Sequence, residues 1–150
     1  MAHDPYRTPG ARVEDPPIQV RPTPARVTLA CWILWTAMAI NFATLHPWIR
    51  GEWWDVQDPG RPVYLVVAHT GTAFLFYAAF VVFINRGHNW ARWGMLVFQA
   101  GTALSVANGF VYSLSVAPLA ATIDALTTLA EFLALYLLFS RPAAEWFRRT

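Results

Sequence analysis

The sequence predicts an all-α membrane protein, built as an antiparallel bundle of four transmembrane helices with both termini cytoplasmic. Three observations lead to this reading. Four apolar runs lie at about residues 27–45, 63–84, 93–116 and 118–139. Each approaches the ~20 residues an α-helix needs to cross a ~30 Å hydrocarbon core. Charged residues make up 13% of the 150 and apolar residues 56%, whereas a soluble domain carries about 25% charged residues. The runs also lack the charged face that a soluble four-helix bundle turns to water. Finally, the chain has eleven Arg and no Lys, and they divide by side. Arg7, Arg12, Arg21, Arg26, Arg86, Arg92, Arg141, Arg148 and Arg149 fall in the N-terminal segment, the 85–93 connection or the C-terminus. Arg50 and Arg61 fall in the 46–62 connection, and the 113–118 turn has none. Positive charge is retained on the cytoplasmic side, so an even number of spans places both ends there.

Residues 1–24 contain six prolines, mixed charges and few apolar side chains. Such a segment buries too little surface to offset its ordering entropy and reads as a disordered cytoplasmic tail; residues 25–150 form the transmembrane domain. Pro16-Pro17 and Pro22-x-Pro24 also suit the extended polyproline geometry of a docking peptide. The first run exceeds the ~7–15 residues of a signal-peptide core, and no small-x-small site follows it, so it reads as a retained span. Its Cys31 is the single cysteine of the chain and reads as a small packing residue.

The 46–62 connection holds Trp48, Trp53 and Trp54 with Glu52, Asp55 and Asp58. The tryptophans fit an interfacial aromatic belt, Asp58-Pro59-Gly60 signals a turn, and the carboxylates lack calcium-loop spacing. Between the second and third runs, Gly87 breaks the helix, while Trp90 and Trp93 belong at an interface. Pro118 suits the opening position of the fourth helix, where a missing N–H costs nothing.

Two stretches carry a resemblance. Gly87-His88-Asn89-Trp90-Ala91-Arg92 resembles the G-x-N-W-A-R loop of small four-span bacterial inner-membrane proteins. Leu137-Leu138-Phe139-Ser140-Arg141-Pro142-Ala143-Ala144-Glu145-Trp146-Phe147 is similar to their L-L-F-x-x-P-A-x-x-W-F close. The likeness covers roughly the last 65 residues. It implies a fold and a compartment, the bacterial inner membrane. Those proteins are uncharacterised, so it implies no activity.

The polar residues inside the spans are the candidate sites. Counted from the outer ends, His69, Asn108, Asp124 and Asn41 could share one layer; Glu131 and Gln99, nearer the cytoplasmic ends, could share another. Thr127 and Thr128 lie between Asp124 and Glu131 on one face of the fourth helix. One reading makes these groups a proton or cation path, with His69 and Asp124 outside and Glu131 within. An acidic residue at a span centre costs about 2.5–3.5 kcal/mol on insertion scales and is commonly functional. The other reading makes them interhelical glue, worth ~0.6 kcal/mol per bond yet decisive for register. Asp124 further suits the positive end of the fourth helix dipole. Gly101, Ser105, Gly109 and Ser113 recur every fourth residue of the third span, a spacing that lets two helix backbones approach. Their partner is either a helix of the same chain or a second copy.

No phosphate-binding loop, H-E-x-x-H, G-x-S-x-G or CxxC motif occurs, and the spans hold too few His and Cys for a metal. The scattered Arg mark helix ends and imply no nucleic-acid partner. The sequence thus leads to a non-enzymatic accessory or interaction protein, without catalytic, cofactor or metal residues. The alternative is a small proton-coupled carrier using Glu131, working as a homodimer. Small multidrug transporters are similar in size and span count, but their essential carboxylate is in the first span, which has none here.

Overall fold

The computed structural model describes residues 22–44 and 63–148, with backbone only for 63–67. Five helices run through these residues: α1 (Ala25–Ala43), α2 (Val63–Asn85), α3 (Asn89–Val116), α4 (Pro118–Phe139) and the short α5 (Arg141–Phe147). The described residues contain no strand. Helices α1 to α4 are each long and apolar enough to cross a membrane, and the chain is a multi-pass membrane protein. The readings of the N-terminal tail before residue 22 and of the Trp-rich connection fall outside the described residues.

Local chemistry sets the helix boundaries. At the end of α2, Gly87 adopts a positive φ of 87°, a conformation in which a Cβ would clash. Its N–H donates to the Ile84 carbonyl at 2.9 Å and the His88 N–H to the Phe83 carbonyl at 3.0 Å. These two bonds satisfy carbonyls that the helix end would leave open. The chain re-enters helix at once, so α3 begins four residues before the span expected at 93–116. Arg92, expected in a cytoplasmic loop, lies instead in the first turn of α3 and is 7% exposed. Between α3 and α4 stands a single residue, Ala117, after which Pro118 opens α4 as its spacing suggested. The second proline-led helix, α5, had no counterpart in the apolar pattern because it is too short to show one.

Helix α4 shares its largest interface with α1 and its next largest with α3, and α2 closes the ring against α1 and α3. The α1–α4 interface reads directly from the sequence. On α1 and its C-terminal cap, Val27, Ala30, Leu34, Ala37 and Thr44 are buried; on α4, Ala120, Thr127, Glu131, Ala134 and Leu138 are buried. With the half-buried Asn41 and Asp124 included, both sets follow alternating steps of three and four, the seam of a coiled coil. Ala30, Ala37 and Thr44 form one row of small residues, and Ala120, Thr127 and Ala134 form the matching row. Small side chains let the two backbones approach, which supplies packing energy where lipid offers no hydrophobic drive.

The core clusters toward the end of the bundle that holds residues 86–88 and α5. Val27, Ala30, Leu34, Val81, Ile84, Ala91, Met95, Ala134 and Leu138 are fully buried there. Buried positions on α3 are Ala91, Arg92, Met95 and Gln99, all in its first eleven residues. Beyond Gln99 the α3 side chains are outward or half-buried, with Leu104 64% and Val111 81% exposed. Apolar groups turned outward in this way have hydrocarbon as their natural surroundings.

An aromatic wall joins α2 to α3. The Phe80 ring lies 6.1 Å from Trp90 and 6.4 Å from Phe98, centroid to centroid, and Phe83 lies 5.1 Å from Trp90. Gly94 makes room for this wall, because a Cβ there would stand 2.5 Å from Phe80 Cε1. The Gly94→Ala variant should therefore lose about 1–3 kcal/mol through overpacking, read as a lower thermal midpoint in detergent. Adding Phe80→Leu should recover part of that loss.

Candidate functional site

Each of the four long helices contributes to one polar cluster on the bundle axis. Glu131 on α4 is 2% exposed, Gln99 on α3 is 1% and Tyr77 on α2 is 6%. The Tyr77 hydroxyl lies 3.0 Å from Glu131 Oε1 and 3.2 Å from the Leu34 carbonyl oxygen on α1. One phenolic proton thus faces two acceptors. The Gln99 side chain stands against both Tyr77 and Glu131, and its Nε2 is enclosed without a hydrogen-bond partner. Neither α2 nor α3 carries another buried polar side chain at this level, so Tyr77 and Gln99 mark where those helices must face the axis. Tyr77 and Glu131 sit equally far from the helix ends Asn85 and Phe139, so their depths match without distortion.

The expected inner layer of Gln99 and Glu131 is therefore assembled, with Tyr77 as an added member. The expected outer layer of four is not assembled. Thr127 Oγ1 donates to Asn41 Oδ1 at 2.9 Å, sharing its proton with the carbonyls of Ile123 at 3.0 Å and Asp124 at 3.1 Å. This links α4 to α1 one helical turn from Glu131. Thr128 donates to the Asp124 carbonyl at 2.7 Å, and Asp124 is half-buried. His69 and Asn108, by contrast, are exposed. Facing outward from the adjacent walls α2 and α3, they join neither Asn41 nor Asp124.

The small residues of α3 also lie elsewhere than an intrachain interface requires. Gly101 and Ser105 are exposed. A Cβ on Gly101 would meet no described atom within 4 Å, and one on Gly109 would meet just Ser113 of its own helix. Among the described residues, no other helix therefore packs closely on Gly101 or Gly109, while Gly109 and Ser113 are half-buried. The close helix approach occurs at α1–α4 instead, where the small residues recur every seven rather than every four.

Chemically, the central cluster is a buried knot held by the Tyr77–Glu131 hydrogen bond. A shallow apolar groove between α1 and α4 is lined by Trp32, Thr36, Ile40, Leu126, Thr127 and Ala130, and Glu131 is not part of its wall. Among the described residues, no group of three or more His, Cys, Asp or Glu side chains gathers that could hold a metal. Tyr77 was missed in the sequence because tyrosine is ordinary in an aromatic-rich span. The usable signal was its depth, equal to that of Glu131.

No protein-family model matches the chain, and no curated protein or solved structure matches it. The site therefore stands on its own geometry. Removing the shared hydroxyl in Tyr77→Phe should cost about 1 kcal/mol, within the range for interhelical hydrogen bonds in membranes. Because the two side chains share one bond, Tyr77→Phe combined with Glu131→Leu should cost less than the sum of the single losses. Equilibrium unfolding in mixed micelles measures both.

Proposed function

We propose that the protein is a non-enzymatic component of a bacterial inner membrane, with both termini cytoplasmic, that packs laterally against another membrane component. The observation carrying this reading is the division of the polar groups. Glu131, Gln99, Tyr77, Thr127 and Asn41 lie between helices, with Glu131 2% and Gln99 1% exposed. Gly101, Ser105 and Asn108 instead face outward from the sparsely packed part of α3. Lipid tails offer neither hydrogen bonds nor a shape-matched surface, so such a face is better satisfied by a protein helix. The arginine asymmetry supports the orientation, and the two resembling stretches support the compartment. Those stretches meet in space: Arg92 lies against both Phe139 and Phe147.

Thiol cross-linking in native membranes tests this reading. With Cys31→Ala as background, Ser105→Cys should give a discrete cross-linked product. Tyr136→Cys, at a 71% exposed position on α4, should give much less. Equal yields at the two positions would remove the support for a partner on α3.

A proton-coupled carrier is the competing reading, favoured by an intramembrane carboxyl in contact with a phenol and beside an amide. It requires water or substrate to reach Glu131, which is 2% exposed. In reconstituted vesicles with an imposed pH gradient, our reading expects no coupled flux from the parent protein. Flux that disappears in Glu131→Gln would establish the carrier instead.

A further inference from the structure

Where the helix ends meet α5, the guanidinium of Arg92 sits between two rings. Its Cζ lies 4.9 Å from the Phe139 centroid and 5.1 Å from that of Phe147. Phe139 is held in turn by Trp93, 4.9 Å away in an edge-to-face contact. One terminal nitrogen, Nη1, donates to the Leu138 carbonyl at 3.4 Å, a long bond for a charged donor. The Nε–H is enclosed and has no partner. A buried donor left this way costs about 1–3 kcal/mol, and five N–H groups are served by one distant acceptor.

The charge is equally unanswered. Arg148 directly follows Phe147, whose ring lies against Arg92, and among the described residues neither arginine has a carboxylate in an ion pair. This end of the bundle presents Arg26, Arg86, Arg92, Arg141 and Arg148 against the single described carboxylate Glu145, itself exposed. A buried guanidinium without an acid is destabilising unless an anion joins it. A planar guanidinium fork matches the oxygens of a phosphate.

The position selects the kind of phosphate. Trp90 and Trp93 are 55% and 53% exposed beside the site, and exposed indoles favour the headgroup level of a bilayer. On the orientation proposed above, this end faces the cytoplasmic leaflet, whose anionic lipids attract arginines at span ends. We propose that Arg92 and Arg148 together bind the phosphate of an anionic phospholipid headgroup, with Arg92 fixed between Phe139 and Phe147 and Arg148 closing from α5. The mouth of the site is the small exposed part of Arg92 next to exposed Arg148.

Native mass spectrometry of the full chain, equilibrated with either phosphatidylglycerol or phosphatidylcholine, tests the assignment. The parent protein should retain phosphatidylglycerol selectively. Arg148→Gln, altered at an exposed position, should lower that retention on the order of tenfold, the equivalent of one charged hydrogen bond. Arg92→Lys, which keeps the charge but loses the fork, should lower it as well. Unchanged retention in Arg148→Gln, or equal retention of the two lipids by the parent, would overturn the proposal. So would thermal protection by inorganic phosphate in phosphatidylcholine equal to that given by phosphatidylglycerol, because the anion would then be a free one.

Discussion

A carboxyl group in hydrocarbon must find its partners inside the protein, and this structure is arranged around that requirement. Glu131 projects from α4 toward the bundle axis and meets Tyr77 across the ring, from a helix that is not an adjacent wall. Tyr77 also reaches the backbone of α1 at Leu34, and Gln99 stands beside it from α3. Each helix is thereby held at one depth and one rotation. Packing of apolar surfaces alone would leave such choices open, because hydrocarbon solvates both faces of a leucine-rich helix about equally. A polar group that must be satisfied discriminates between registers far more sharply than a methyl group does.

Around this point the bundle divides in two along its length. Toward residues 86–88, alanines of α1 and α4, the aromatic wall of α2 and α3, and the short α5 form one continuous core. In the other half, α1 and α4 remain joined through Asn41 and Thr127, while α3 continues past Gln99 without a buried residue. Both features follow from side-chain size and polarity. The seam of α1 and α4 is small enough for close approach over most of its length, whereas Leu104 and Val111 of α3 find no facing helix.

How much of this was legible beforehand depended on the kind of signal. Helix existence and the limits of α4 could be read because length, apolarity and an opening proline agree there. The onset of α3 lies four residues before its apolar run, because Arg92 has the character of a loop charge and the aromatic rings that bury it are distant in sequence. The pairing of Gln99 with Glu131 followed from depth, a one-dimensional property. Tyr77 was hidden by its resemblance to its aromatic neighbours. Glycine and serine on α3 stand out against an apolar background. Alanines at seven-residue intervals do not, although they line the largest helix interface. His69 and Asn108 show the limit of depth counting, since residues at one level can face different directions.

The largest interface lies between the first span and the last, and this governs how the protein comes into being. A ribosome releases α1 long before α4, so α1 enters the membrane without the surface it is shaped to meet. Tyr77 and Gln99 likewise emerge ahead of the carboxyl that joins them. The single-residue link at Ala117 then delivers α4 folded back beside α3, and the ring closes in one late event. Until that moment, the small-residue row of α1 is open to the neighbouring lipids and to any helix passing through the insertion machinery.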